Sequence, residues 1–157
     1  MSIPMLFKNH FQIGYAVRDV DRAIENLSNT YGIRHWQVLR LPADSPGNAL
    51  AFARIRGMML ELVDVKPGKV EVYNEYIPAD PAAIRLHHFG YMADTRQELE
   101  EITRRYAELG IAKVVDLEMG DILCYRYFDT MGQLGHYTEY VWLKPGGADF
   151  WAHVPEN

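Results

Sequence analysis

The chain has one cysteine, Cys124, among its 157 residues. A single thiol cannot form an internal disulfide, so the sequence suits a reducing compartment, and we expect a cytoplasmic protein with an inert thiol. Basic residues are in the minority, since 16 Lys and Arg stand against 21 Asp and Glu, for a formal net charge of −5. That balance offers no basic surface to a phosphate backbone, so nucleic acid is not an expected partner.

Long apolar runs are also missing. No stretch remains apolar over the roughly 20 residues that a membrane-spanning helix needs. The start of the chain, Met1 to Lys8, lacks the basic and then apolar pattern of a secretory signal. We therefore expect one folded domain over residues 1–157, with no membrane partner, that acts on a small molecule.

An internal repeat is the main feature that the sequence does contain. The segment Gln12–Ala16 matches His88–Met92 at a distance of 76 residues, and Leu60–Val63 matches Thr138–Val141 at 78. Repeats decide the fold and so have to be recognised before single elements. Short apolar strands can match by chance, but here the matches come in the same order at nearly constant spacing.

Each copy of the repeat reads as strand, helix and three strands, over residues 9–65 and 86–143. Apolar residues recur at helical spacing after Asp19, which with Asp21 is a candidate N-cap, and after Thr95, which opens a capping box. The connector over residues 64–85 is expected to hold a short helix at residues 70–77. The pattern predicts an α+β fold of two tandem βαβββ modules.

Four residues that can bind a divalent cation occupy matching positions in the two modules: Gln12, Glu61, His88 and Glu139. Alternation along a strand places Gln12 beside Gly14 and His88 beside a glycine, on the face away from the bulky side chains. Both glutamates lie in apolar runs, where an unpaired carboxylate is costly to bury. A shared metal ion is the most economical partner for them.

Each candidate ligand has an alternative interpretation. His10 competes with Gln12, because residues two apart share a strand face. His87 should point away from its neighbour His88, towards the helix side or the connector. Partners for a buried glutamate could instead be arginines, namely Arg54, Arg56 or Arg126. His136 and His153 are expected at the surface.

Several aromatic residues could line an apolar pocket, although core packing is the more common role for such side chains. They are Tyr73, Tyr76, Tyr125, Tyr127 and Trp36.

The chain resembles the vicinal oxygen chelate superfamily, which includes glyoxalase I, methylmalonyl-CoA epimerase, extradiol dioxygenases and bleomycin-resistance proteins. The stretches that carry the resemblance are Gln12–Asp19, Met59–Val63, Leu86–Tyr91 and Tyr137–Val141. The resemblance implies that the two modules curve into one cup of mixed sheet, with the helices outside and a metal inside.

By the same resemblance, Gln12 and His88 from the first strands and Glu61 and Glu139 from the last strands would be the metal ligands. At the first ligand position this chain has Gln12, and glyoxalase I of the eukaryotic type also has glutamine there. The basic residues with which glyoxalase I holds glutathione are not found at clear matching positions, so the resemblance leaves the substrate open.

This ligand set predicts one divalent ion, Zn, Mg, Mn, Co or Ni, and an enzyme that removes a proton beside a carbonyl or carboxylate oxygen. Such an isomerase, epimerase or lyase would use Glu139 as its base, with Glu61 as second choice. An Fe(II) extradiol-type dioxygenase is the alternative if His10 replaces Gln12, and a metal-free binding protein of the resistance type is a third. We expect a homodimer.

Overall fold

The structure is a computed structural model and describes residues 8–157. It divides into two compact units. The first unit contains Gln12–His87 and His153–Asn157, and the second contains His88–Ala152 with the segment that ends at Phe11. The single domain over residues 1–157, and modules over 9–65 and 86–143, stay predictions.

The first module has the predicted element order. Its elements are β1 (His10–Val17), α1 (Val20–Tyr31), β2 (Gln37–Arg40), β3 (Gly47–Ile55) and β4 (Met58–Val65). The strands lie in the order β2-β3-β4-β1, with β1 parallel to β4 and the other pairs antiparallel. The connector forms a short helix, α2 (Glu71–Asn74), within residues 70–77, where the sequence predicts one.

The second module repeats this order with one addition. Its elements are β5 (Ile84–Met92), α3 (Arg96–Glu108), β6 (Lys113–Met119), β7 (Leu123–Phe128), α4 (Met131–Leu134) and β8 (Tyr137–Leu143). The strands lie in the order β6-β7-β8-β5, and β5 is parallel to β8 as β1 is to β4. Helix α4 is not predicted by the sequence pattern. The predicted fold class, α+β with two βαβββ modules of mixed sheet, is confirmed.

Each long helix covers one face of its own module's sheet. In the first module, Ala23 and Leu27 of α1 are buried in one cluster with Ala51 and Leu62. In the second, Leu99, Ile102 and Tyr106 of α3 are buried with Tyr91 and Tyr140, among others. Burial of one such large apolar side chain stabilises the fold by about 1.5–3 kcal/mol. The opposite face of each sheet is not covered by these helices, and it is the face on which alternation places the predicted ligands.

The helix ends follow the sequence signals. Asp19 caps α1, because its Oδ1 accepts hydrogen bonds from the N–H groups of Asp21 and Arg22 at 3.0 and 3.1 Å. Gly32 ends this helix at a φ of 74°, a conformation that favours glycine. Thr95 caps α3 through the N–H of Glu98 at 3.0 Å. The carboxylate of Glu98 reaches back to the N–H of Asp94 at 2.7 Å, one residue before the cap.

None of the helices within residues 8–157 is long and apolar enough to cross a membrane.

Candidate metal centre

His88 and Glu139 lie together in the second unit. Gly90 of β5 is directly opposite Glu139 of β8, and His88 precedes Gly90 by two residues, so the two side chains share a face. Nε2 of His88 lies 3.5 Å from Oε2 of Glu139. Both residues are buried. The parallel pairing of β5 and β8 therefore creates a buried imidazole–carboxylate pair.

Gln12 and Glu61 have the same arrangement in the first unit. Gly14 of β1 is directly opposite Glu61 of β4, and Gln12 precedes Gly14 by two residues. Gln12 is 1% exposed and Glu61 is 8% exposed. Each glutamate thus has a glycine beside it on the neighbouring strand, and glycine leaves room for a close approach to the sheet.

The faces of these strands are fixed by what packs on their other side. Leu62, next to Glu61, is buried in the cluster under α1, and Tyr140, next to Glu139, is buried under α3. Burial raises the pKa of Tyr91, in that second cluster, to about 12, so its phenol is neutral at physiological pH. Alternation then places the four predicted ligands on the faces away from the helices.

An aromatic side chain flanks each glutamate on the side opposite the glycine. Phe52 of β3 pairs with Glu61, and Tyr127 of β7 pairs with Glu139. The ring centroids of Tyr127 and His88 are 5.0 Å apart. Low polarity around a carboxylate strengthens its interaction with any cation that it binds. Tyr127 is one of the aromatic residues proposed from the sequence, whereas Phe52 was missed. Its inward position in an alternating strand was the available signal.

The other histidines have different surroundings. The ring of His10 packs at 5.2 and 5.0 Å from the rings of Phe89 and Tyr91, which alternate with His88 along β5. Nε2 of His87 is 2.8 Å from the carbonyl oxygen of Val72 in the connector, as predicted.

The prediction of a surface position is wrong for His136. Its ring is buried and stacks on Phe89 at 4.1 Å, while Nδ1 lies 2.8 Å from the carbonyl oxygen of Tyr137. His153 is exposed, as predicted.

Arg126, one of the alternative partners for a glutamate, is bound elsewhere. Its guanidinium donates to both carboxylate oxygens of Glu100 at 2.9 and 3.0 Å and to Asp116 at 3.0 Å. The hydrogen bond from Arg126 holds the pKa of Glu100 below its usual value. Burial raises the pKa of the Cys124 thiol, in agreement with the inert role expected for it.

A cleft of about 640 Å³ lies on the helix-facing side of the first unit. Its walls include Tyr15, Leu27, Leu60 and Ile84. Leu60 alternates with Glu61 along β4, so this cleft opens on the other face of the sheet from the predicted ligands. Its walls also contain the amide of Asn26 and the phenols of Tyr15 and Tyr31, and they include none of the four predicted ligands.

His88 and Glu139 of the second unit are buried and could hold a metal ion, and Glu61 of the first unit is a buried residue of the ligand type. The pair in the second unit fits this role, because two donors bound about 2.1 Å from one ion at a tetrahedral angle are separated by about 3.4 Å. A carboxylate and an imidazole suit a hard or borderline divalent cation. The donor chemistry therefore agrees with a divalent metal.

Known structures share this architecture at low identity. A single-residue variant of the Streptomyces coelicolor methylmalonyl-CoA epimerase, solved in complex with 2-nitronate-propionyl-CoA, is 14% identical with a TM-score of 0.63, over 88% of this chain and 96% of that one. The Mycobacterium tuberculosis methylmalonyl-CoA epimerase is 17% identical with a TM-score of 0.59, over 93% and 95%. A hypothetical protein from Bacillus halodurans C-125 is 15% identical with a TM-score of 0.61, over 86% and 94%. At this identity the likeness concerns the fold alone.

The sequence itself matches one known family. No curated protein matches the chain. The profile of the glyoxalase/bleomycin resistance protein/dioxygenase superfamily matches residues 11–125, which is most of the chain and includes three of the four predicted ligands. The resemblance recognised in the sequence is thereby confirmed, and the chain belongs to the glyoxalase/bleomycin resistance protein/dioxygenase superfamily.

Proposed function

We propose that this protein is a metal-dependent isomerase, epimerase or lyase that removes a proton from the carbon beside a carbonyl or carboxylate group. One divalent ion would be held by Gln12, Glu61, His88 and Glu139. The observation that carries the proposal is the repeated arrangement of a glutamate opposite a glycine, with a second ligand-competent residue two positions before that glycine. Such a repeat supplies two matching pairs of donors.

The residues fit such an ion by their chemistry. Gln12 offers an amide oxygen, His88 an imidazole nitrogen, and the glutamates carboxylate oxygens, and all four residues are buried. When bound, a divalent ion would polarise an oxygen of the substrate and lower the pKa of the adjacent C–H group. The two carboxylates would also offset the positive charge of the ion.

Proton transfer would be the task of a glutamate. Glu139 is the first candidate, because it is buried beside Tyr127 of the neighbouring strand and its Oε2 lies 3.5 Å from Nε2 of His88. Glu61 occupies the matching place beside Phe52 and is the second candidate. A base removes the proton to leave an enolate, and return of a proton at the same or another position completes an isomerisation or epimerisation.

The position of His10 disfavours the oxygenase alternative. An Fe(II) extradiol-type site wants two histidines and one carboxylate, and here the second histidine would have to be His10. Its ring packs on Phe89 and Tyr91, which point to the helix-facing side of β5. Gln12 is 1% exposed and lies two residues before the glycine that is opposite Glu61, and it is the better ligand.

The substrate would be a small molecule. An epimerase of this fold has been solved with a CoA derivative, which makes a CoA ester one candidate substrate class for this chain as well. A homodimer and a cytoplasmic location stay predictions.

Two measurements test the proposal together. Elemental analysis of the purified protein should find about one Zn, Mg, Mn, Co or Ni ion per chain, whereas iron would favour the oxygenase. Nuclear magnetic resonance should then detect exchange of the substrate's α-proton with deuterated water for at least one 2-oxo acid, acyl-CoA or α-hydroxyketone. A protein that contains no metal and exchanges no such proton would instead support the binding-protein alternative.

A further inference from the structure

The first unit contains a cleft between α1 and the sheet that the proposed reaction does not use. Its volume is about 640 Å³. Protein interiors leave few voids larger than a water molecule, whereas sites for small molecules have volumes of about 300–1,000 Å³. Leu60 and Leu62 line the cleft from β4, and Glu61 lies between them in the sequence. Alternation therefore places the cleft on the face of the sheet away from the predicted metal ligands.

The cleft has a buried floor and an open rim. Leu27 of α1 and Leu62 of β4 are 4% and 0% exposed, and both belong to the apolar core of the first unit. Tyr15 of β1 is half-buried, as is Ile84, from the part of β5 that belongs to the first unit. Tyr31, the last residue of α1, is 70% exposed. A molecule that enters past the rim therefore covers apolar surface that the fold leaves half-buried.

The walls of the cleft carry no charge. Among the described residues that line it there is no Asp, Glu, Lys, Arg or His. An ionised ligand would lose hydration in such a place and would gain no opposite charge in return, so its binding would cost free energy. The chemistry of the walls therefore favours an uncharged ligand.

Two side chains supply polar atoms to the cleft. The amide of Asn26 is held in place, because Nδ2 donates to the carbonyl oxygen of Ala82 at 3.0 Å and Oδ1 accepts from the hydroxyl of Thr30 at 3.0 Å. Burial alone raises the pKa of the Tyr15 phenol, and no hydrogen bond from a residue between 8 and 157 offsets that rise. The Tyr15 hydroxyl is therefore neutral at physiological pH and can form a hydrogen bond with a ligand.

The extent of the cleft fits a small molecule better than a protein. Its walls consist of nine of the described residues. A stable protein–protein interface involves about 20–30 residues on each side. The cleft alone is thus too small for a protein partner, while its volume and its mixture of apolar walls with a few polar atoms are typical of small-molecule sites.

We propose that this cleft is a second ligand site, which binds an uncharged, largely apolar molecule with one hydroxyl group. The apolar part of the ligand lies against Leu27 and Leu62, and its hydroxyl group forms a hydrogen bond with Tyr15. An aryl alcohol is the simplest molecule with these properties. The site includes none of the predicted metal ligands, so the inference goes beyond the proposed function and does not depend on it.

Three probes with the same ring system test the proposal: 1-naphthol, naphthalene and 1-naphthoate. Their binding to the purified protein is measured by fluorescence titration at pH 7, where the carboxylate is charged. The parent should bind 1-naphthol about 5–10-fold more tightly than naphthalene, the usual effect of one neutral hydrogen bond. It should bind 1-naphthoate at least about 10-fold more weakly than 1-naphthol, because the charge is not compensated. In Tyr15→Phe the advantage of 1-naphthol over naphthalene should disappear.

Two further measurements show where the probe binds. In methyl nuclear magnetic resonance spectra, 1-naphthol should shift the signals of Leu27 and Ile84 and leave those of Leu99 and Ile102, in the core of the second unit, unchanged. Excess EDTA should leave the dissociation constant of 1-naphthol unchanged, because no predicted metal ligand lines the cleft. A protein without metal or proton exchange would still bind the probe, so failure of the proposed function is distinguishable from failure of this inference.

Two tryptophan variants complete the test. Ile84→Trp fills part of the cleft and should abolish saturable binding of 1-naphthol. Val38→Trp adds the same side chain at an exposed position of β2 outside the cleft, and it should bind like the parent. Tyr15→Phe keeps the aromatic ring and tests the inference even if Ile84→Trp does not fold.

Several results would overturn the inference. One is the absence of saturable binding by the parent, as expected if a second copy of the chain or another part of it covers the cleft. Others are equal affinity for 1-naphthol and 1-naphthoate, methyl shifts confined to the second unit, and loss of binding with EDTA. An advantage of 1-naphthol over naphthalene that survives in Tyr15→Phe would refute the hydrogen bond on which the ligand class depends.

Discussion

Nε2 of His88 lies 3.5 Å from Oε2 of Glu139, and the two residues are 0% and 5% exposed. Neither strand alone produces this pair, because His88 comes from β5 and Glu139 from β8, 51 residues later in the sequence. The parallel register that sets Gly90 opposite Glu139 brings them together. The same register in the first module sets Gly14 opposite Glu61.

Replacement of His88 by alanine should reduce metal content and activity together, because the proposed site then loses its one imidazole. Loss of a ligand should weaken metal affinity by at least about 100-fold, the upper effect of removing a supporting outer residue. Inductively coupled plasma mass spectrometry after dialysis against a chelator series measures this change. His153→Ala, at an exposed position, is the matched control and should keep its metal. A His88→Ala protein with full metal content would contradict the assignment.

Gln12 and His10 should respond differently to the same substitution. Gln12→Ala should weaken metal binding, because the amide oxygen is proposed as a ligand. His10→Ala should leave metal binding nearly intact, since the ring of His10 packs on Phe89 and Tyr91. Competition with a chromogenic chelator compares the two variants directly. If His10→Ala loses metal affinity and Gln12→Ala keeps it, His10 is the ligand, and the oxygenase interpretation is favoured.

Stability should depend on pH through Glu98. A hydrogen bond from Lys8 is the main reason that the pKa of Glu98 is lowered. A lowered pKa in the folded state means that the ionised carboxylate stabilises the fold above the pKa of the unfolded chain, and that this contribution disappears as pH falls through the folded value. Chemical denaturation should show Glu98→Gln to be less stable than the parent by about 1 kcal/mol at pH 7. The difference should shrink in acid, and a constant difference down to about pH 2 would contradict this origin.

The sequence was sufficient for features that depend on local periodicity. The apolar run after the turn at Gly57 predicts a strand over Met58–Val65, and β4 has these bounds. The repeat put the four ligand candidates at matching places, and the strand register sets each glutamate opposite a glycine, while their role as ligands stays a prediction. Alternation also predicted that His87 and His88 would face opposite ways, and His87 does reach the connector.

Features that depend on contacts between residues far apart in the chain could not be predicted from the sequence. After the turn around Pro46, the sequence predicts a strand that starts at Ala49, but β3 starts at Gly47, because a bulge lets Gly47 pair with Val65. His136 is buried because its ring stacks on Phe89 of β5 and its backbone carbonyl accepts a hydrogen bond from the hydroxyl of Thr130. The last residues join the first unit through hydrogen bonds of the Arg54 backbone to Pro155 and Asn157. None of these pairings leaves a periodic signal.

Substitution of Glu139 by glutamine separates metal binding from proton transfer. Glutamine keeps an oxygen that can coordinate a cation but cannot accept the substrate's proton at neutral pH. The variant should therefore retain much of its metal, while α-proton exchange slows by about 10²–10⁴-fold, the usual contribution of a positioned base.

Exchange of the α-proton with deuterated water reports this step directly, and metal content measured on the same sample shows whether the site is still loaded. Glu71→Gln, at an exposed position in α2, is the control for the loss of one negative charge and should exchange at the parental rate. The same substitution at Glu61 tests the second candidate. If Glu139→Gln exchanges the proton as fast as the parent while Glu61→Gln does not, the base is Glu61, because the repeat supplies that residue with the same glycine and aromatic neighbours.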